Sequence, residues 1–243
     1  MKGPPYGRCK GSEETMRRKA IVILFMGIVL SVFADAWHMR GKKEKAWSIQ
    51  SQDLPFQIEE WEKGINQRQP PIKIMDAIGI KPGMVIGEVG AGTGRMTMWL
   101  ADRVGKIGLV YANDIERSAL DHLRRRCRRE GFKNVAIIHG KMEDPGFPVN
   151  SLDIAFMINV YHHLADPVLL IRNIHPSLKP GGVLAIVECD PDKMKWAEDH
   201  GCTGREDMIE DLKKAGFEVL RIETFLEEDS IYIARPIGGF VIR

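Results

Sequence analysis

The chain has 243 residues, 44% of them hydrophobic, and a formal net charge of +2. That length suits one α/β domain with an appended segment, and the near-neutral balance excludes a global polycation built to coat nucleic acid. The four cysteines (Cys9, Cys127, Cys189, Cys202) include no CxxC pair, so neither a metal site nor a disulfide framework is expected; Cys189 and Cys202 read as buried, inert thiols.

Residues 1–36 form the first unit. A polar start with Gly and Pro, read as disordered, leads to Arg17-Arg18-Lys19, an apolar run over 20–34, and Ala34-Asp35-Ala36. Basic, apolar, then small-x-small is the pattern of a secretory signal peptide. The run holds about 15 residues, short of the roughly 20 that span a membrane. The alternative is an uncleaved anchor, with Lys42, Lys43 and Lys45 at lipid headgroups. Either way an exported or membrane-associated protein is expected. A start at Met16 gives MRRKAIVILFMG, a conventional leader, which N-terminal sequencing would test.

Residues 37–80 form an N-terminal helical segment. A helix is expected over 59–66, ended by Pro70-Pro71, with a second over 72–78 and Gly79 as its stop. From 81 to 243 strand and helix alternate, as in a parallel sheet. Strands are expected at 85–89, 108–112, 135–139, 154–158 and 183–188, then a pair at 218–225 and 230–235. Helices are expected near 95–104, 116–130, 167–177 and 205–215, with an irregular crossover around 141–148. The run RRRCRR at 124–129 falls on a helix and reads as a solvated face, or as a patch for an acidic partner or membrane.

The stretch VIGEVGAGTG at 85–94 reads as a buried strand, a tight glycine turn and a helix start. Glycine there admits positive φ and lets a ligand approach the backbone. Asp114 lies about 20 residues past Gly94, where nucleotide-binding βαβ units place a ribose acceptor; a helix N-cap is the other reading.

Four segments then stand in order: EVGAGTG at 88–94, YANDI at 111–115, LDIAFMINVYHHL at 152–164 and LKPGG at 178–182. Over roughly 73–236 the chain resembles the class I S-adenosylmethionine (SAM)-dependent methyltransferases. The resemblance implies an α/β, doubly wound, mostly parallel seven-stranded sheet with a reversed last strand, and SAM across the strand ends. It implies that Glu88, Gly90, Gly92 and Gly94 hold the methionine moiety, that Asp114 holds the ribose, that Ile115 packs on adenine, and that Asn159 faces the methyl group. The family often places an acidic residue after the third-strand glycine. Here Gly140 is followed by Lys141, which cannot accept a hydrogen bond, leaving Met142, Glu143 or a backbone carbonyl for adenine. Family members often close a segment before the first strand over the site, a role open to Trp61 and Gln69; packing on the sheet edge is the other reading.

Tyr161, His162 and His200 are the general-base candidates. His162 and His163, being adjacent, are expected to point apart rather than chelate. Asp190, His200 and Arg205 suit a polar or anionic substrate, and Thr203 suits a cap for the last helix. The expected function is methyl transfer to a small-molecule acceptor, with no nucleic-acid partner. The alternatives are a nucleic-acid or protein methyltransferase docking through 124–129, and a non-catalytic SAM-binding, membrane-tethered protein.

Overall fold

In the computed structural model, which describes residues 55–194 and 201–238, two short helices, α1 (Glu62–Arg68) and α2 (Pro71–Ile78), lead into β1 (Val85–Val89). The chain continues through α3 (Arg95–Val104), β2 (Leu109–Asp114), α4 (Arg117–Glu130), β3 (Val135–His139), β4 (Leu152–Ile158), α5 (Pro167–Ile174), β5 (Leu178–Cys189), α6 (Arg205–Lys214), β6 (Phe217–Glu223) and β7 (Asp229–Pro236). The apolar segment at 20–34 and His200 lie outside the described residues, as does the expected signal peptide or anchor. No helix among the described residues is long and apolar enough to cross a membrane.

The strands form one seven-stranded sheet in the order β3-β2-β1-β4-β5-β7-β6. β1 to β5 are mutually parallel, and β7 runs antiparallel to both β5 and β6. This is the expected doubly wound sheet with its reversed last strand. β1 lies between β2 and β4, so the chain departs in opposite directions from the centre of the sheet and a crevice opens beyond the carboxyl ends of β1 and β4.

Each face of the sheet carries its own core, as the two-residue side-chain period of a strand requires. On one face Ile86, Val110, Ile154 and Phe156 pack with Ile74, Met96, Leu100, Leu120 and Leu123 from α2, α3 and α4. On the other, Ala155, Met157, Leu184 and Ile186 pack with Leu170, Ile171, Met208 and Leu212 from α5 and α6. Local signals set the helix ends: Pro71 starts α2, and Gly79 and Gly131 close α2 and α4 in the left-handed conformation.

Several boundaries differ from expectation. β2 runs on to Asp114, because parallel pairing with β3 continues to His139. β5 begins at Leu178, where it pairs with Leu152 before a register shift. α5 stops at Ile174 and passes into a 3₁₀ turn containing Pro176. Thr203 does not cap α6: the cap position is Gly204, without a side-chain bond. The basic run is not simply a solvated face, since Arg126 is wholly buried against Glu62 of α1. Cys189 and Cys202 are not thiols. They form a disulfide, their Cα atoms 5.5 Å apart across the chain that leaves β5 and returns before α6.

Candidate active site

The turn after β1 carries three glycines in the left-handed region, with φ of 69° at Gly90, 53° at Gly92 and 98° at Gly94. Their surroundings differ. A Cβ at Gly90 would lie 2.3 Å from Val160, and one at Gly94 would lie 2.5 Å from Leu123. Those two positions let strand ends and helix approach closely. A Cβ at Gly92 would meet nothing within 4 Å, so this bend faces open space at the crevice.

Asp114 closes one side of that space. Its Oδ2 accepts from the Gly92 N–H at 2.7 Å and its Oδ1 from the Glu116 N–H at 2.8 Å. Each carboxylate oxygen retains a further lone pair for a ligand hydroxyl. The N-cap of α4 is Glu116, which accepts from the Ser118 N–H, so Asp114 is not required as a cap. Beyond β2 and β3, Ile115 and Met142 are apolar yet 52% and 55% exposed. The His139 ring nitrogen lies 3.0 Å from the Ile115 carbonyl and links the two strand ends. Glu143 is exposed, and its backbone carbonyl accepts from Asn173.

Beneath the turn Glu88 is buried and accepts from the Thr97 hydroxyl at 2.5 Å. Burial pushes its carboxyl up to about 8, against the opposing pull of Thr97 and the Arg95 charge. Burial likewise draws Arg95 down to about 10. Arg95 donates not to Glu88 but to Gln69 Oε1 at 2.9 Å and Asn66 Oδ1 at 3.2 Å.

Gln69 is the hub that sequence reasoning underweighted. Its amide donates to Asn159 Oδ1 at 2.8 Å and to Asp229 Oδ1 at 3.1 Å, so it ties the joint between α1 and α2 to the ends of β4 and β7. It therefore sits over the strand ends, not on the sheet edge. Trp61, the other residue named for closing the site, is 53% exposed. Asn159 has φ of 55°. A left-handed non-glycine residue is costly unless its surroundings hold it, and such strain gathers at functional sites.

The far side of the crevice is built by the 3₁₀ turn Tyr161–His163 after β4 and by the end of β5. His162 Nδ1 lies 2.6 Å from Glu188 Oε1. That hydrogen bond raises the imidazole above its ordinary value, although partial burial works against it. Tyr161 is corrected as a base candidate: its side chain is buried and its hydroxyl donates to Asp211 Oδ2 of α6 at 2.7 Å. Burial first, then Asp211, push the phenol far up, so it holds its proton at neutral pH. The rings of His162 and His163 do not point apart. The 3₁₀ turn brings them together, tilted by 52° with centroids 3.9 Å apart. Asp190 is buried and engaged with Ser230 Oγ at 2.6 Å and Arg205 at 3.5 Å, so it organises the loop rather than presenting a carboxylate to a substrate.

The residues present fit an adenosyl cofactor. The side-chain-free bend at Gly92 leaves room for it, Asp114 can accept from ribose hydroxyls, Ile115 and Met142 offer apolar surface to a base, and Glu88, Asn159 and Gln69 bring polar groups to the methionine end. Comparison with known proteins agrees. A family model described as a methyltransferase domain matches residues 87–186. The chain is 29% identical over 115 residues to a demethylmenaquinone methyltransferase of Geobacillus stearothermophilus, covering 47% of this chain and 49% of that protein. It is 31% identical over 115 residues to a ubiquinone/menaquinone biosynthesis C-methyltransferase of Shewanella sp. (strain W3-18-1), covering 47% of this chain and 46% of that protein. The chain thus spans about half the length of the curated relatives it matches. A SAM-dependent methyltransferase structure from Aquifex aeolicus superposes with a TM-score of 0.63 at 26% identity, covering 68% of this chain and 88% of that one. Glycine turn, downstream carboxylate, sheet order and relatives converge: residues 87–186 carry a methyltransferase domain, and the described core has the fold of the class I SAM-dependent methyltransferases.

Proposed function

We propose that the protein transfers the methyl group of SAM to a small organic acceptor seated between the glycine turn and the His162–Glu188 pair. The observation that carries this reading is the open space in front of Gly92, flanked by Asp114. SAM supplies a methyl group already activated on a sulfonium, so the protein's task is alignment, exclusion of water and handling of any proton the acceptor loses. The Gly92 bend and Asp114 hold the adenosyl end. The Gln69–Asn159–Asp229 bonds hold the preceding helices over the crevice. His162 takes the acceptor's proton, and the buried Glu188 stabilises the resulting imidazolium.

The relatives named for C-methylation in quinone biosynthesis support an electron-rich aromatic acceptor whose ring hydroxyl must be deprotonated. A nucleic-acid acceptor draws less support. Within the basic run Arg126 is buried, Arg124 pairs with Asp121, and Arg129 pairs with Glu59 and Glu130. The apolar segment at 20–34 is proposed to direct the chain to a membrane, as cleaved leader or as anchor; the intact mass of the native protein separates the two.

The test uses the full chain. Calorimetry is expected to give micromolar binding of S-adenosylhomocysteine, abolished in Asp114→Ala. Methyl-labelled SAM is expected to label a hydroxylated aromatic acceptor with weak salt dependence. Unchanged cofactor affinity in Asp114→Ala overturns the site, and transfer only to nucleic acid, falling steeply with salt, overturns the acceptor class.

A further inference from the structure

The disulfide stands beside an imidazole and a buried carboxylate. Cys189 is the last residue of β5, directly after Glu188, and its N–H donates to Glu188 Oε1 at 3.0 Å. His162, Glu188 and Cys189 each bring one potential ligand atom, all within 4.8 Å of one another. The bridge adds a second sulfur, from Cys202, to the same place, and the Met194 thioether lies 3.7 Å from Cys202 Sγ. Glu188 Oε1 sits 2.6 Å from His162 Nδ1, so the carboxylate and the imidazole already meet at this place.

We propose that reduction of the Cys189–Cys202 bridge creates a site for one thiophilic divalent cation of the zinc class, with Cys189, Cys202, His162 and Glu188 as ligands. In the oxidised state neither sulfur can serve as a thiolate. A dithiol or phosphine reductant delivers two electrons to the S–S bond, two protons are taken up, and the reductant leaves oxidised. Each thiol then releases its proton as its metal–sulfur bond forms, and His162 binds through a neutral ring nitrogen. Two sulfurs, one nitrogen and one carboxylate oxygen make a four-coordinate set. Around zinc such ligand atoms stand roughly 3.3–3.8 Å apart, from bond lengths of about 2.0–2.3 Å. Three of the four already lie within 4.8 Å of one another, and the fourth is bonded to Cys189. Local spacing could not announce it, because the ligands come from 162, 188–189 and 202. One corner of the crevice thus exchanges between a covalent bridge and a metal centre according to the thiol balance around it.

Cobalt(II) is the probe, since its thiolate charge-transfer and d–d bands report ligand type and geometry without any assay of methyl transfer. The full-length protein is reduced anaerobically with a phosphine, desalted and titrated beside the oxidised protein. The reduced form is expected to bind one equivalent with a near-ultraviolet thiolate band and four-coordinate d–d bands, displaced by Zn²⁺, and the oxidised form is expected to show neither. Cys202→Ser and His162→Gln should each weaken binding at least tenfold, while the Cys9→Ser/Cys127→Ala double variant should not. Absence of the thiolate band after reduction, the same band in the oxidised form, undiminished cobalt affinity in Cys202→Ser, or loss of the band in the Cys9/Cys127 variant each overturns the proposal. S-adenosylhomocysteine affinity, measured on the same samples and on Asp114→Ala, tests the methyltransferase reading separately, because Asp114 and Gly92 are not among the proposed ligands.

Discussion

At Gly92 the missing side chain faces open space, whereas at Gly90 it faces Val160 at 2.3 Å. Two alanine substitutions in one turn should therefore fail differently. Gly92→Ala adds only the strain of a left-handed alanine, about 1–2 kcal/mol, so the melting temperature should drop by several degrees while S-adenosylhomocysteine affinity falls at least tenfold. Gly90→Ala adds a collision with a packed side chain to the same strain, and its melting temperature should fall well below that of Gly92→Ala. Thermal melts with calorimetry read both quantities. Normal cofactor affinity in Gly92→Ala would remove this bend from the binding site. The glycine spacing and the acid at 114 were legible because both are local, on one strand end and the next. Which glycine faced the crevice was not, since that depends on Val160 and Leu123 from distant segments. Nor could spacing pair Gln69 with Asn159 and Asp229, 90 and 160 positions away.

At the scale of an element, α1 has seven residues, too few to persist on local hydrogen bonds, so tertiary contacts must hold it. The contact is ionic. Arg126 of α4 donates to Glu62 through both terminal nitrogens, at 2.5 and 2.9 Å, with both side chains fully buried. Removing one partner leaves the other charge buried and alone, which costs about 3–5 kcal/mol, whereas replacing both by apolar residues of similar size is often neutral. Glu62→Ala is thus expected to lower stability by that amount, to open 57–69 to proteolysis, and to weaken cofactor binding through Gln69. Glu62→Leu with Arg126→Met should recover most of the stability; a double variant as damaged as the single would show that packing, not an orphaned charge, is lost. The two helices and their break at Pro70-Pro71 were readable from the sequence. The anchor was hidden among neighbouring arginines of the same run, though the buried stripe of Leu120, Leu123 and Cys127 marks the inner face that Arg126 flanks.

At the scale of the whole molecule the strand–helix alternation gave the sheet, and the crossing from β3 to β4 gave the crevice. The charges enclosed there set how stability responds to pH. Glu88 is raised by burial to about 8 from 4.5, Asp229 is raised chiefly by burial, and His162 is raised chiefly by its bond to Glu188. All three have folded values above their unfolded ones, so each contributes stability that is fully present below the unfolded value and lost as pH climbs through the folded value. Asp190 shifts the other way: burial is outweighed by the Ser230 hydroxyl, the Asp192 N–H and nearby cations. Its contribution disappears only on acidification below its ordinary 3.8, outside this window, while His163 and His175, drawn down chiefly by burial, oppose the trend inside it by less than the large displacement of Glu88 drives it. The cofactor-free protein should therefore melt at progressively lower temperature from about pH 5 to about pH 8, the interval over which Glu88 alone makes the unfolded chain shed its proton first. Arg95 stays charged throughout, yet its hydrogen bonds go to Gln69 and Asn66, so it offsets the burial of Glu88 only through space. Glu88→Gln keeps the shape and an acceptor for Thr97 while removing the proton equilibrium. Its melting temperature should change much less across the interval, with its advantage over the native protein growing towards pH 8. A Glu88→Gln advantage that fails to grow towards pH 8 would mean that Arg95 holds the Glu88 carboxylate ionised, and that the base of the glycine turn rests on an ion pair.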